Sequence, residues 1–267
     1  MAGIEAAGKD VSTDTIIIRN CNLLDEFTDC LNLQREVWGF SDLELVPLRV
    51  FSLAVKIGGQ VIGAWDGATM VGFALSVPGT HRRYSYLHSH MLGVREAYRN
   101  TGLGRRIKLF QREDAIERGY ELIEWTFDPL EIKNAYFNIE RLGAIARRYN
   151  LNQYGITTSP LQGFLPTDRL VAEWWLTSSR VKKLLKDGRR PDINAEMQIS
   201  VPAEIYAWKT DPSTRGKAAE VQSRNREQFL KAFSEGLACL GYGRKDNGNG
   251  VFLLGHWDED WSYATTA

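Results

Sequence analysis

Hydrophobic residues occur in short blocks along the chain, and their spacing within each block predicts strands and helices. Apolar side chains three or four residues apart, as at Leu103, Ile107 and Phe110, predict amphipathic helices. Short apolar or β-branched runs bounded by Gly, Asn or Pro predict strands. The predicted helices are residues 23–37, capped by Asn22, then 102–118, 132–142 and about 219–240. The predicted strands are residues 15–19, 51–57, 61–65, 70–77, 87–94, 122–127, 172–176, 196–201 and 251–254.

The connections between these elements predict the fold class. Asp66-Gly67 between two apolar runs, and the Asn-Gly pairs at 247–250, are typical of hairpins. The helix at 102–118 lies between two predicted strands, which favours a parallel crossover within a mixed sheet. The predicted fold is therefore α/β (α+β).

A change of composition at residues 180–190 suggests how the chain is divided. This stretch carries six basic residues and one acidic residue, and we interpret it as a solvated linker rather than a nucleic-acid patch. The predicted organisation is a flexible N-terminus at 1–13, a main domain at 14–179, a basic linker at 180–191 and a small α+β extension at 192–267.

Overall composition excludes several classes of protein. The 267 residues include 33 basic and 33 acidic side chains, so neither a general nucleic-acid binder nor a membrane-surface binder is expected. The apolar runs are too short to span a bilayer, and no secretory signal is expected at the start. Cys21, Cys30 and Cys239 are odd in number and widely spaced. They predict a reduced cytoplasmic protein without disulfides or a zinc ribbon.

The stretch most informative about function is residues 99–105, which follow the strand predicted at 87–94. A glycine-rich turn at a helix start presents main-chain N–H groups and a positive dipole end to a phosphate. The side chains of Arg99 and Arg105 add donors. A P-loop sequence is absent, and a dinucleotide fingerprint would need glycine in place of Ile107. The pyrophosphate of coenzyme A and a plain tight turn remain the alternatives.

Several motifs resemble the GNAT superfamily of acyl-CoA N-acyltransferases. The signature Gln/Arg-x-x-Gly-x-Gly/Ala matches at Arg99, Gly102 and Gly104, with Val94 five residues earlier. Similarity to one bacterial and archaeal branch rests on SHMLGV (89–94), IKLFQRE (107–113), WTFDPL (125–130), NAYFNIERLGA (134–144) and LPTDRLVAEW (165–174). The resemblance covers residues 14–178 and, more weakly, the tail. It implies a mixed, mostly antiparallel twisted sheet with splayed central strands flanked by helices.

The same resemblance implies a co-substrate and a reaction. The co-substrate is acetyl-CoA or another acyl-CoA, without a metal. The reaction is transfer of an acetyl or succinyl group to a primary amine, such as that of an amino acid, by direct attack on the thioester. The implied coenzyme-binding residues are Leu92, Gly93, Val94, Arg99, Asn100, Thr101, Gly102, Leu103, Gly104, Arg105, Asn134 and Asn138. Because the usual tyrosine donor is replaced by Ile139, a degenerate acyl-CoA-binding or regulatory module is the alternative.

Two histidines on the strand predicted at 87–94 are candidate general bases. An amine of pKa near 10.4 is neutral in only about one molecule in 2,500 at pH 7, so a base assists its attack. By period two, His88 and His90 share a face with Leu92 and Val94. His88 lies eleven residues before Arg99, where histone-acetylating relatives place their base. The two imidazoles alternatively only line a pocket; metal binding is less favoured because a third ligand is not evident.

Two further residues are candidates for binding the substrate. Asp128 ends the strand predicted at 122–127, where its carboxylate either binds a substrate ammonium or caps the next helix. Trp125 lies within that strand, and core packing is the alternative to substrate contact.

Overall fold

The computed structural model describes residues 15–81, 84–155 and 162–257, and the chain forms two compact units. The amino-terminal unit comprises the chain up to Pro78 together with Ser89–Asp114. The carboxy-terminal unit comprises Gly79–His88 and the chain from Ala115 onward. The predicted N-terminal segment at 1–13 lies outside the described residues. The predicted domain boundaries at 179 and 191 stay predictions.

The amino-terminal unit packs three helices against one end of a sheet. Its strands pair in the order β1-β2-β3-β4, with β1–β2 and β2–β3 antiparallel. One buried cluster joins α1 and α2 through Phe27 and Phe51, and a second joins α3 through Leu103 and Ile107. The elements are β1 (Ile17–Asn20), α1 (Leu24–Trp38), α2 (Leu48–Lys56), β2 (Gln60–Asp66), β3 (Thr69–His81), β4 (Tyr84–Val94) and α3 (Leu103–Glu117), and both β3 and β4 extend into the other unit.

The carboxy-terminal unit contains the parallel crossover. Its strands pair in the order β4-β5-β7-β6-β9-β10-β8, and β4 runs parallel to β5 through Leu87↔Ile123 and His88↔Glu124. The other pairs are antiparallel. The elements are β5 (Leu122–Phe127), α4 (Ile132–Tyr136) with a π-helical turn (Phe137–Arg141), β6 (Ile145–Asn150), β7 (Arg169–Trp175), α5 (Ser179–Asp187), β8 (Met197–Val201), α6 (Ile205–Thr210), α7 (Arg215–Ser234), β9 (Leu237–Arg244) and β10 (Gly250–His256). The predicted mixed, mostly antiparallel sheet flanked by helices is confirmed.

Two local predictions in the amino-terminal unit are wrong. Residues 51–56 of the strand predicted at 51–57 belong to the helix α2, which buries Phe51 and Ala54 but exposes Leu53. Apolar residues on both the buried and the exposed side of this helix conceal its period. Asn22 does not cap α1, because the Glu26 carboxylate accepts hydrogen bonds from the main-chain N–H groups of Asn22 and Leu23.

Two predictions in the carboxy-terminal unit also need correction. Residues 180–187 of the linker predicted at 180–191 form most of α5, whose cap Ser178 accepts from the Val181 N–H and whose Val181 and Leu184 are buried. The helix predicted at 219–240 ends at Ser234, after which β9 begins and pairs with β6. The sequence patterns missed β6 and α6 entirely. None of the helices in the described ranges is long and apolar enough to cross a bilayer.

Candidate functional site

The turn before α3 in the amino-terminal unit is fixed by its own side chains. The Tyr98 hydroxyl donates to the Asp66 carboxylate at 2.7 Å, and the Tyr98 carbonyl accepts from the Thr101 hydroxyl at 2.7 Å. Asn100 and Gly102 have φ values of 63° and 88°, which Asn tolerates and Gly adopts without strain. This turn therefore brings the chain from β4 into α3 in one defined conformation.

Main-chain N–H groups open the first turn of α3. The Arg106 N–H donates to the Gly102 carbonyl at 3.1 Å and begins the helical ladder. The N–H groups of Leu103 and Gly104 precede that bond and have no acceptor within the helix. A Cβ at Gly102 would meet no atom within 4 Å, and one at Gly104 would meet only side-chain carbons of β4 at 4.0 Å. A ligand can therefore approach this positively polarised helix end closely.

The predicted coenzyme-binding residues of this unit differ in exposure. Arg99, Asn100 and Gly102 are exposed, and Thr101, Gly104 and Arg105 are partly exposed. Leu92, Val94 and Leu103 instead direct their side chains into the α3 cluster, so only their main chains remain for a ligand. Gly93 is buried, and a Cβ there would come within 3.0 Å of Trp38 and 3.1 Å of Phe73, which explains the glycine by packing.

The side chains of β4 do not alternate regularly around His90. The Ser89 hydroxyl contacts Lys108 of α3, and Leu92 also packs on the α3 side. Met91 packs in the α1 and α2 cluster. Strict alternation would place Ser89 with Met91, so the period shifts between Ser89 and Leu92, as at a β-bulge. The predicted face shared by His90 and Leu92 is therefore interrupted at His90–Met91.

The two histidines have different surroundings. The His90 side chain is exposed, but the protein atoms around it desolvate the imidazole and lower its pKa below 6.5. His90 is therefore neutral at pH 7, the form that can accept a proton. His88, in the carboxy-terminal unit, is half-buried and is paired with Glu124 in the parallel ladder.

Glu124 lies in a row of titratable residues that crosses the sheet of the carboxy-terminal unit. His88 pairs with Glu124, and Glu124 pairs with Glu173 of β7, so the three side chains share one face. Both carboxylates are buried. Burial raises the pKa of Glu124 to about 7, against a smaller opposing effect of Arg148. A carboxyl group that titrates near neutral pH is a candidate proton acceptor.

Two consecutive arginines of β6 hold these carboxylates. Arg148 forms ion pairs with both Glu124 and Glu173, the latter at 3.2 Å, and Arg147 forms one with Glu173. A register shift between Ala146 and Arg148 lets neighbouring residues reach the same face. Sequence analysis missed this cluster, although acidic residues inside the apolar strands LIEW and AEWW are a signal for it.

Asp128 has two partners inside the protein. One carboxylate oxygen accepts from the Leu130 N–H at 2.8 Å, and the other accepts from the buried Lys209 ammonium at 2.9 Å. Trp125 is buried and packs edge-to-face on Trp174, with ring centroids 6.1 Å apart. Asp128 does not cap α4, whose N-cap is Glu131; the turn at Leu130 and the ion pair with Lys209 account for its position. Packing accounts for Trp125, and contact of either residue with substrate stays a prediction.

The two candidate asparagines lie in different helical geometry. Asn134 is exposed on α4, whereas Asn138 is buried in the π-helical turn. The Asn138 side-chain nitrogen has no hydrogen-bond partner among the described residues, which is uncommon for a buried donor. Ile139, at the position of the usual tyrosine, is buried. Over residues 15–81, 84–155 and 162–257, groups of three or more possible metal ligands do not occur.

Comparisons with known proteins identify the family. Residues 23–143 match the sequence model of the Acetyltransferase (GNAT) family, and no curated protein matches the chain. The structure of yncA from Salmonella typhimurium, solved with its cofactor acetyl-CoA, has a TM-score of 0.50 and 14% identity, covering 63% of this chain and 98% of that one. The ribosomal-protein-S18-alanine N-acetyltransferase from Escherichia coli has a TM-score of 0.49 and 13% identity, covering 61% and 96%. Residues 23–143 therefore match a GNAT acetyltransferase domain, in agreement with the family that the motifs indicated.

Proposed function

We propose that this protein transfers an acyl group from acyl-CoA to the nitrogen of a primary amine. The observation that carries the proposal is the open first turn of α3, where the N–H groups of Leu103 and Gly104 precede the helical ladder in a GNAT domain. The acetyl-CoA bound to yncA supports the same class of co-substrate here. Acetyl and succinyl groups are the donors to test first.

The coenzyme's pyrophosphate would be held mainly by the main chain. Its oxygens accept from the N–H groups at the start of α3, where helix dipole and missing side chains both favour an anion. The guanidinium groups of Arg99 and Arg105 stand in the same turn and add charge-assisted hydrogen bonds. Asn138, whose buried side-chain donor has no partner among the described residues, remains a separate candidate for contact with the coenzyme.

The chemical step needs a proton acceptor. The amine nitrogen forms a bond with the thioester carbonyl carbon, the carbon–sulfur bond breaks, and coenzyme A leaves as its thiolate. The proton released from nitrogen passes to a base. His90 is neutral at pH 7 because its pKa is lowered. His88 stands beside Glu124, whose pKa of about 7 makes it the second acceptor in the same ladder.

The charge cluster supports an acceptor with charges of both signs. The carboxylates of Glu124 and Glu173 balance the guanidinium groups of Arg147 and Arg148. A ligand with one net charge would leave an uncompensated charge in this buried row. An amino acid, with its ammonium and carboxylate, exchanges partners with the cluster without that cost. Asp128 and Trp125 are further candidates for the acceptor site.

Release of free thiol tests the proposal directly. The protein is mixed with acetyl-CoA or succinyl-CoA and a panel of amino acids, and coenzyme binding is measured by calorimetry in parallel. We expect binding and thiol release with at least one acceptor. Binding without release for any amine would favour the regulatory module, which the buried Ile139 supports. Absence of binding at millimolar coenzyme would refute both.

Variants of the histidines test their role. His90→Ala and His88→Ala should each lower turnover at least tenfold and leave coenzyme affinity nearly unchanged, because a base acts only in the chemical step. A variant with normal turnover would show that its histidine only lines the site.

A further inference from the structure

A buried lysine of α3 is the least explained polar group in the amino-terminal unit. Lys108 is 2% exposed, and its ammonium donates to the Ser89 hydroxyl at 3.0 Å and to the Gln111 side-chain oxygen at 2.7 Å. Gln111 donates on to the Ser76 hydroxyl at 2.7 Å, and Ser76 donates to Gln60 at 3.2 Å. These side chains are all buried. They form one continuous polar network between α3 and the sheet.

Burying an ammonium costs free energy that an apolar side chain avoids. A methionine has nearly the same length and would fill the position without this cost. Burial alone lowers the pKa of Lys108 to about 7, which expresses that cost. The presence of a lysine here must therefore be explained by the side chains that its amine contacts, and the one on β4 is Ser89.

Ser89 stands where β4 loses its regular alternation. The hydrogen bond from Lys108 keeps Ser89 on the α3 side, whereas the following Met91 packs in the α1 and α2 cluster. His90 lies between these two residues, at the point where the alternation shifts. The Ser89 hydroxyl also donates to the Gln111 side-chain oxygen at 3.3 Å, and the same oxygen accepts from the Lys108 ammonium. Lys108 therefore holds Ser89 both directly and through Gln111.

We propose that Lys108 is a positioning residue for the acyl transfer: through Ser89 it holds the irregular segment of β4 that presents His90 to the reacting amine. This inference rests on the proposed function. Lys108 itself touches neither substrate nor coenzyme in this arrangement. Its effect is on the geometry of the proton acceptor, so it acts on the chemical step and leaves the coenzyme-binding turn at 99–105 intact.

The test compares Lys108→Met with a control that removes a buried polar side chain elsewhere in the same unit. Gln34 of α1 is fully buried and makes two hydrogen bonds to the main chain of Val46, at 2.9 and 3.3 Å. Lys108→Met should lower kcat at least tenfold and change the KM for acyl-CoA less than twofold. Gln34→Leu should lower thermal stability but leave kcat within twofold.

A double variant checks that Lys108 and Ser89 act as one unit. Ser89→Ala should lower kcat in the same direction, and the combination with Lys108→Met should fall no further than the more damaging single change. Effects that multiply would refute the shared action. If Lys108→Met does not fold, Ser89→Ala by itself carries the test, and normal kcat for that variant overturns the inference.

A readout without turnover separates this inference from the proposed function. The imidazole proton signal of His90 is assigned with His90→Ala, and its position and titration midpoint are followed by NMR. We expect both to move in Lys108→Met and to stay unchanged in Gln34→Leu. An unchanged His90 signal in Lys108→Met overturns the positioning role, even if the protein acylates no amine. A shifted signal with no acyl transfer would support the positioning and refute only the proposed function.

Discussion

Replacing Gly104 by Ala separates coenzyme binding from stability. Gly104 is the second residue of α3, and a Cβ there would touch only Leu92 and Val94, both at 4.0 Å. That is ordinary van der Waals contact, so the fold accommodates the methyl group. Because glycine in a helix costs about 0.5–1 kcal/mol relative to alanine, the variant should gain that much stability. For a chain of this size the gain raises Tm by roughly 1–4 °C.

The same methyl group should weaken coenzyme binding. A phosphate oxygen that accepts from the Gly104 N–H lies about 2.9 Å from that nitrogen, and a methyl on the adjacent Cα crowds it. Loss of one hydrogen bond to a charged group costs about 1.5–3 kcal/mol, and 1.4 kcal/mol is about tenfold in affinity. We therefore expect the Kd for coenzyme A to rise roughly 10- to 100-fold while Tm rises.

A glycine at the same position of another helix provides the control. Gly216 is the second residue of α7, it is exposed, and a Cβ there would meet no atom within 4 Å. Gly216→Ala should raise Tm by a similar amount and leave coenzyme affinity unchanged. Calorimetric titration with coenzyme A and thermal unfolding are measured for the parent protein, Gly104→Ala and Gly216→Ala. If Gly104→Ala binds coenzyme A within twofold of the parent protein, the pyrophosphate does not rest on the start of α3.

The remaining predictions concern titration and buried charge. If His90 is the base, the acid limb of kcat/KM should lie below pH 6.5; if Glu124 is the base, it should lie near pH 7 and disappear in Glu124→Gln. The raised pKa of Glu124, about 7 against an ordinary 4.5, favours the protonated form in the fold, so the contribution of Glu124 to stability is fully present below pH 4.5 and is lost as pH rises to 7. In urea unfolding, the unfolding free energy of the parent protein should therefore include a loss of about 3 kcal/mol over this pH range that Glu124→Gln does not show. Equal pH dependence in the parent protein and the variant would contradict this. Lys209→Met leaves Asp128 buried without its cation, so it should lower the unfolding free energy by about 3–5 kcal/mol in the same assay; no loss would show that the ion pair is dispensable.

Local features were predicted well where neighbouring residues determine them. The strand–turn–helix from β4 to α3, the hairpin at Asp66-Gly67 and the helix over residues 24–38 follow from residues a few positions apart. The turn at 99–105 belongs to this class, because its conformation needs Gly102 and its own side-chain hydrogen bonds. The sequence pattern failed where most positions of a segment are apolar, as at 51–57, or basic, as at 180–190.

Sequence by itself indicated the GNAT match, the mixed sheet and the position of the glycine turn at 99–105, because each is encoded in contiguous residues. Only the tertiary structure decided which distant side chains share an environment. Strand register brings His88, Glu124 and Glu173 into one row, and the shifted register of β6 adds Arg147 and Arg148. Register depends on the packing of whole strands against helices, so the acidic residues within two apolar strands signal buried charge but do not show which residues become neighbours. The same holds for Lys108, whose partner Ser89 is set by how α3 lies on β4.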